Sequence, residues 1–121
     1  MPDTIESIQA KMANTTGVQA QILQIIQRRP GERNAITDVQ ICEVLGRSKG
    51  YERTVRDAIR TMRKSGIPIC SASGVGYHWP EDFGDIDTTV AELRSRAEDM
   101  WHTAKMIEDG AANLFGGQRS F

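Results

Sequence analysis

The chain has 121 residues, 39% of them hydrophobic and 26% charged, with a formal net charge of −1, which is the length of one small domain with an appendage and too short for a large α/β enzyme. No apolar run comes near the roughly 18 residues a membrane span needs, and the opening MPDTIESIQAK has neither a cationic region nor an apolar one of the kind a secretory signal carries. A transmembrane helix is excluded and secretion is unsupported, so a cytoplasmic location without a membrane partner is expected.

Residues 3–13 set Ile5, Ile8 and Met12 at helical spacing before the polar string Asn14-Thr15-Thr16-Gly17, which reads as a short, loosely attached helix within an N-terminal segment 1–15. Thr16 followed by Gln19 has the form of a capping box. It would open a helix through Val18, Ile22, Ile25 and Ile26 to Arg29, stopped by Pro30-Gly31. Ala35-Ile36 is expected as a strand stub of one or two residues. Thr37 with Gln40 repeats the capping signature and opens a helix that buries Ile41, Cys42 and Leu45; Gly46 ends it, where a positive φ is cheapest.

Winding residues 48–65 at about 100° per residue puts Tyr51, Val55, Ala58, Ile59 and Met62 on one side and Lys49, Arg53, Arg56, Arg60 and Lys64 on the other. One side is core. The other carries five cations against one acid, Asp57. A solvated charged face is the commoner meaning of any one charge run, but so one-sided a run, on a helix propped by a shorter one, favours binding. Arg offers a planar fork to phosphate oxygens and to guanine O6 and N7, so the expected partner is double-stranded DNA read in the major groove. The candidate contacts are Arg47, Ser48, Lys49, Tyr51, Arg53, Thr54, Arg56, Arg60 and Lys64.

Gly66 is the next stop signal. Ile67 to Ala72 has strand character, with Pro68 at a strand start or edge because it cannot donate to a ladder. Ser73-Gly74-Val75-Gly76 is turn material, and Tyr77-His78-Trp79 returns as a second strand closed by Pro80. No Lys or Arg occurs from Ser65 to Glu92, so this hairpin would touch phosphate only through backbone amides, Ser73, Tyr77 or His78. Tyr77 and Trp79 are expected as core aromatics rather than as platforms for bases.

Helix, strand stub, helix, basic helix and hairpin give a mainly α fold with a small β-hairpin wing, a winged helix-turn-helix over residues 16–80. The stretch LGRSKGYERTVRDAIRTMRKSGIPICSASGVGYHW resembles the helix-turn-helix family typified by the DNA-binding domain of the biotin operon repressor. It is more similar still to small bacterial and phage-encoded winged-helix proteins in which an Arg-rich helix runs into GIPI and a Gly-Tyr hairpin. The resemblance covers roughly residues 18–80, with ICEVLG in the place of the first motif helix and TVRDAIRTMRKSGIPI in that of the recognition helix and first wing strand. It implies this fold and DNA binding, and no operator. Two departures stand out: the wing has no cations, and Ser48 precedes Thr54-Val55 by six and seven residues, so that KGYE lengthens either the turn or the helix start.

Beyond Pro80 the pattern becomes periodic. Ile86, Val90, Leu93, Ala97, Met100, Ala104 and Ile107 alternate in steps of four and three, a heptad seam with Trp101 beside it. A C-terminal helix is expected over 85–109 within a segment 81–110, ended by Gly110, with the tail 111–121 mobile. The seam suits a homodimer and, as the competing arrangement, a fold-back onto the chain's own winged domain. Charge divides with it: residues 37–79 carry +3 and residues 80–121 carry −5.

Cys42 and Cys70 each lie in an apolar pattern and read as small core residues of a reducing compartment. Together with His78 and His102 they offer metal-ligand types, but not the close pairing of a zinc motif, and no metal or cofactor is expected. Gly74-Val75-Gly76 lacks the helix and lysine of a phosphate-cradling loop, and no nucleophile stands beside a general base. Catalysis has no visible seat. The expected function is sequence-specific DNA binding by a homodimeric transcriptional regulator; the alternative is a winged-helix protein adaptor, in replication or phage assembly, acting through the uncharged wing and the acidic helix.

Overall fold

The computed structural model describes residues 5–116; residues 3–4 of the expected first helix and 117–121 of the expected tail lie outside them. Helix α1 (Ile5–Ala13) leads into α2 (Gly17–Gln27), whose Ile22, Leu23 and Ile26 are buried. α1 is tied to the rest: Met12 packs against the core, and Lys11 Nζ donates to the Ser65 carbonyl at 2.9 Å. The capping box expected at Thr16 and Gln19 does not form. Thr16 occupies the cap position without a side-chain bond, because Gly17 (φ 61°) enters the helix by a left-handed step, and the Thr15 hydroxyl instead closes α1 by donating to Met12 O at 2.7 Å.

A 3-10 turn, Glu32–Asn34, and the residue pair Ala35-Ile36 precede α3 (Asp38–Val44). Here the capping box is complete: the Gln40 amide donates to Thr37 Oγ1 at 3.1 Å and the Thr37 amide to Gln40 Oε1 at 3.0 Å. Gly46 (φ 69°) ends α3, its amide donating to Glu43 O at 3.1 Å and the Arg47 amide to Cys42 O at 2.9 Å, so two orphan carbonyls are satisfied. Helix α4 begins only at Glu52 and runs to Lys64. Ser48, Lys49, Gly50 and Tyr51 therefore make a long turn, with the Gly50 amide held by Glu52 Oε2 at 2.8 Å. Of the extra residues KGYE, Lys49, Gly50 and Tyr51 lengthen the turn while Glu52 opens the helix, so Lys49, expected on the helix, belongs to the turn.

Gly66 (φ 101°) closes α4 as Gly46 closes α3, with Ile67 N donating to Met62 O at 3.1 Å. Strands β1 (Cys70–Ala72) and β2 (Gly76–His78) pair antiparallel, Ser71 opposite Tyr77. Ile36 bridges the other edge of β2 by exchanging two 2.8 Å backbone bonds with Tyr77, as expected of the stub. Gly76 is required there: its φ is 117°, and a Cβ would run into the Ile36 carbonyl. Buried side chains from α2, α3, α4, Ile36, Ile67 and Ile69 form one core, with Tyr51, Tyr77 and Trp79 packed against it.

Helix α5 spans Phe83–Phe115. The expected stop at Gly110 is not used, and Ala111 to Phe115, assigned to a mobile tail, continue the helix. Residues up to Thr89 belong to one compact unit and those from Val90 onward to a second. In the first unit Thr89 is buried and fastens α5 to β1, its hydroxyl accepting from Ser71 N at 3.2 Å and donating to Ser71 O at 3.3 Å. Among the described residues no helix is long and apolar enough to cross a membrane. The molecule is thus mainly helical, with a two-stranded hairpin and a long C-terminal helix.

Candidate nucleic-acid interface

α4 owes its position to its apolar side. Val55, Ala58, Ile59 and Met62 recur at steps of three and four and are all buried, which turns Arg53, Thr54, Arg56, Arg60 and Lys64 outward and leaves them exposed. Ser48 and Lys49 are exposed on the turn. Arg47 lies with its guanidinium 5.1 Å from the centre of the Tyr51 ring, and Tyr51 is half-buried against the core. Of the candidate residues, Tyr51 is therefore a support for Arg47 and for the turn rather than an outward group.

The cations do not all have the same freedom. Arg56 Nη1 lies 2.8 Å from Asp38 Oδ2 in the first turn of α3, and Arg60 Nη1 lies 3.5 Å from Asp57 Oδ1. The Asp38 hydrogen bond raises the Arg56 pKa above the ordinary guanidinium value. Lys49, Arg53 and Lys64 make no ion pair with any described residue. The outward side thus meets two acids, Asp38 and Asp57, where α4 alone suggested one. Asp38 was missed because it sits on another helix, 18 positions away in sequence; its place at the start of a capped helix was the available signal.

The hairpin contributes less than expected. Ser73 is exposed at the turn, but Tyr77 is half-buried beneath the Arg63 guanidinium, 5.6 Å from its ring centre. Arg63 also donates from Nε to Ile69 O at 2.8 Å, so this cation serves the junction of α4 with the hairpin. His78 is only 3% exposed, with Nδ1 3.1 Å from Trp79 O, and cannot reach a phosphate. Strand alternation within three residues sends neighbouring side chains to opposite sides of the hairpin, and both sides are occupied.

Cys42 and Cys70 are buried free thiols, and burial pushes both pKa values up. Among the described residues no group of three His, Cys, Asp or Glu is placed to hold a metal ion. On α5 the seam divides. Ile86 and Val90 are half-buried, whereas Leu93, Ala97, Met100, Trp101, Ala104 and Ile107 are exposed. The matching spacing continues past Gly110 to Ala111 and Leu114. Compared with family models, with curated proteins and with solved structures, the chain matches none.

Proposed function

We propose that the chain is a winged helix-turn-helix protein that binds double-stranded DNA sequence-specifically, as a homodimeric transcriptional regulator of bacterial or phage type. The observation that carries this reading is the exposed cationic side of α4, opposite a side wholly committed to the core. In this reading α4 enters the major groove as the recognition helix, with Arg53 and Arg56 at base edges and Lys49, Arg60 and Lys64 at phosphates. The long turn brings Ser48 and Arg47 to the duplex backbone. The uncharged wing leaves most of the electrostatic attraction to α4.

Fluorescence anisotropy with a random-sequence duplex tests the reading first. About four phosphate contacts per copy, from Arg47, Lys49, Arg60 and Lys64, should make affinity fall at least about 10²-fold between about 50 and 200 mM salt. Absence of binding to any duplex at low salt overturns it. Selection from a random duplex pool should then yield a two-fold symmetric consensus.

The cation-free hairpin, with Ser73 and Val75 exposed at its tip, favours a second reading, that of a protein adaptor. It expects a stoichiometric protein complex that survives Arg53→Glu, a substitution that would abolish DNA binding.

A further inference from the structure

The second unit is a helix whose apolar seam is open. Met100, Ile107 and Leu114 are 67%, 68% and 77% exposed, with Trp101 beside them at 71%. With Val90, Ala97, Ala104 and Ala111 as a positions, Leu93, Met100, Ile107 and Leu114 are d positions; the last member of each set exists because the helix runs on past Gly110. Three of the four a residues are alanine and every d residue is large. Most of a helix's stability in a protein comes from packing its apolar side rather than from propensity, and contiguous exposed apolar surface marks an interaction site. What covers the seam must fit alternating small and large layers.

We infer that this seam pairs with the same helix of a second copy in antiparallel orientation, Ala104 opposite the partner's Met100. The inference rests on the self-association in the function proposed above, and not on DNA binding. In a parallel pair a residues meet a residues, and alanine would face alanine at 97, 104 and 111, leaving gaps that forfeit dispersion contacts. An antiparallel pair sets a against d. Ala104 against the partner's Met100 brings Ala97 against the partner's Ile107, Ala111 against the partner's Leu93 and Val90 against the partner's Leu114. Every layer then joins a small or branched residue to a large one, as close packing demands.

Charge selects the register. At the e positions this alignment places Arg94 beside the partner's Glu108, twice by symmetry, and Trp101 beside the partner's Trp101 at the two-fold axis. Sliding by one heptad sets Asp87 against the partner's Glu108 in one direction and Arg94 against the partner's Phe115 in the other. A parallel pair would face Arg94 with Thr89, Trp101 with Arg96 and Glu108 with Thr103, and contains no pair of opposite charge at these positions. Because Val90 lies opposite the partner's Leu114, the two Val90 positions stand about 36 Å apart along the pair.

Cysteine cross-linking of the full chain tests orientation and register together. Ala97→Cys and Ile107→Cys are made separately, oxidised alone and then mixed, with peptide mapping to set aside the buried Cys42 and Cys70. The expected result is a 97-to-107 disulfide in the mixture and none in either variant alone, since like positions would be about 15 Å apart. Self-linking of Ala97→Cys would overturn the antiparallel pair. Arg94→Glu and Glu108→Arg, both on exposed residues, should each weaken dimerisation at least ten-fold in sedimentation equilibrium, and together restore it; indifference of the dimer to both would overturn the register. A wild-type chain that is monomeric at about 100 μM yet binds duplex would overturn the pairing and leave DNA binding standing. A cross-linked dimer that binds no duplex at low salt would uphold the pairing and remove the DNA reading.

Discussion

Arg56 and Arg53 are one turn apart on α4 but differ in their electrostatic setting, since Arg56 is held by Asp38 at 2.8 Å whereas Arg53 has no ion partner among the described residues. A cation already paired gains less from a phosphate, because it must give up one anion to take another. Arg53→Ala should therefore weaken duplex binding more than Arg56→Ala, by about 1–3 kcal/mol and at one base position if it reads guanine through both nitrogens. Asp38→Asn should strengthen binding a few-fold, the opposite sign, and anisotropy at fixed salt measures all three. Glu81 accepts from Arg33 through both carboxylate oxygens, at 2.7 and 2.8 Å, which holds its pKa below the ordinary value. A depressed carboxylate contributes stability that is present above its unfolded value, near about 4.3, and lost as pH falls through the folded value. The melting temperature should drop below about pH 4.5, and Glu81→Gln should remove that part of the decline while lowering the melting temperature at neutral pH. Periodicity revealed the buried side of α4 because one helix supplies all of it. The partners of Arg56, Arg33 and Thr89 lie 18 or more positions away, in other elements, where spacing carries no signal.

Helix ends show which local signals decide structure. Gly46 and Gly66 both follow a helix whose next residue donates back to it, so their left-handed conformation is matched by two hydrogen bonds and the stops were legible. Gly110 has no such match. Ala111 and Leu114 extend the seam in register, and a mid-helix glycine costs only about 1 kcal/mol relative to alanine, so the helix passes through it to Phe115. The two Thr-x-x-Gln signatures are alike in sequence and unlike in outcome, because Gly17 after Thr16 adopts a positive φ while Asp38 after Thr37 starts a regular turn. Thr37→Ala should accordingly lower the stability of the first unit by about 1 kcal/mol in urea denaturation, and Thr16→Ala should leave it almost unchanged. Equal losses would contradict this difference between the caps. The short strands were legible from their glycines, yet not the side chains' surroundings: His78, offered as a phosphate contact, is enclosed, and Ser73 alone among the three hairpin candidates is fully outward.

For the whole molecule, charge and burial separate at nearly the same place. The cations of α4 lie in the unit that ends at Thr89, and the open seam lies on the helix that follows. In the proposed dimer the phosphate contacts of one cationic helix would be doubled, which would raise selectivity for a site with two halves far more than affinity for one half. Replacing Leu93 and Met100 together by lysine tests whether that division is functional. In the antiparallel pair the lysine at position 93 would face the partner's Ala111 and the lysine at position 100 the partner's Ala104, the latter close to the two-fold axis where the new charges of the two copies approach each other. Desolvation and like-charge repulsion should then leave a monomer. The core of the first unit is untouched by either change, so its cooperative thermal transition should persist. Binding to a palindromic site should fall at least ten-fold while binding to an isolated half-site stays constant, and sedimentation of the same samples reports the oligomeric state. A wild type that is already monomeric, together with a double variant that unfolds throughout, would mean that the seam is covered within its own chain, and two copies would then have to meet on DNA by some other surface.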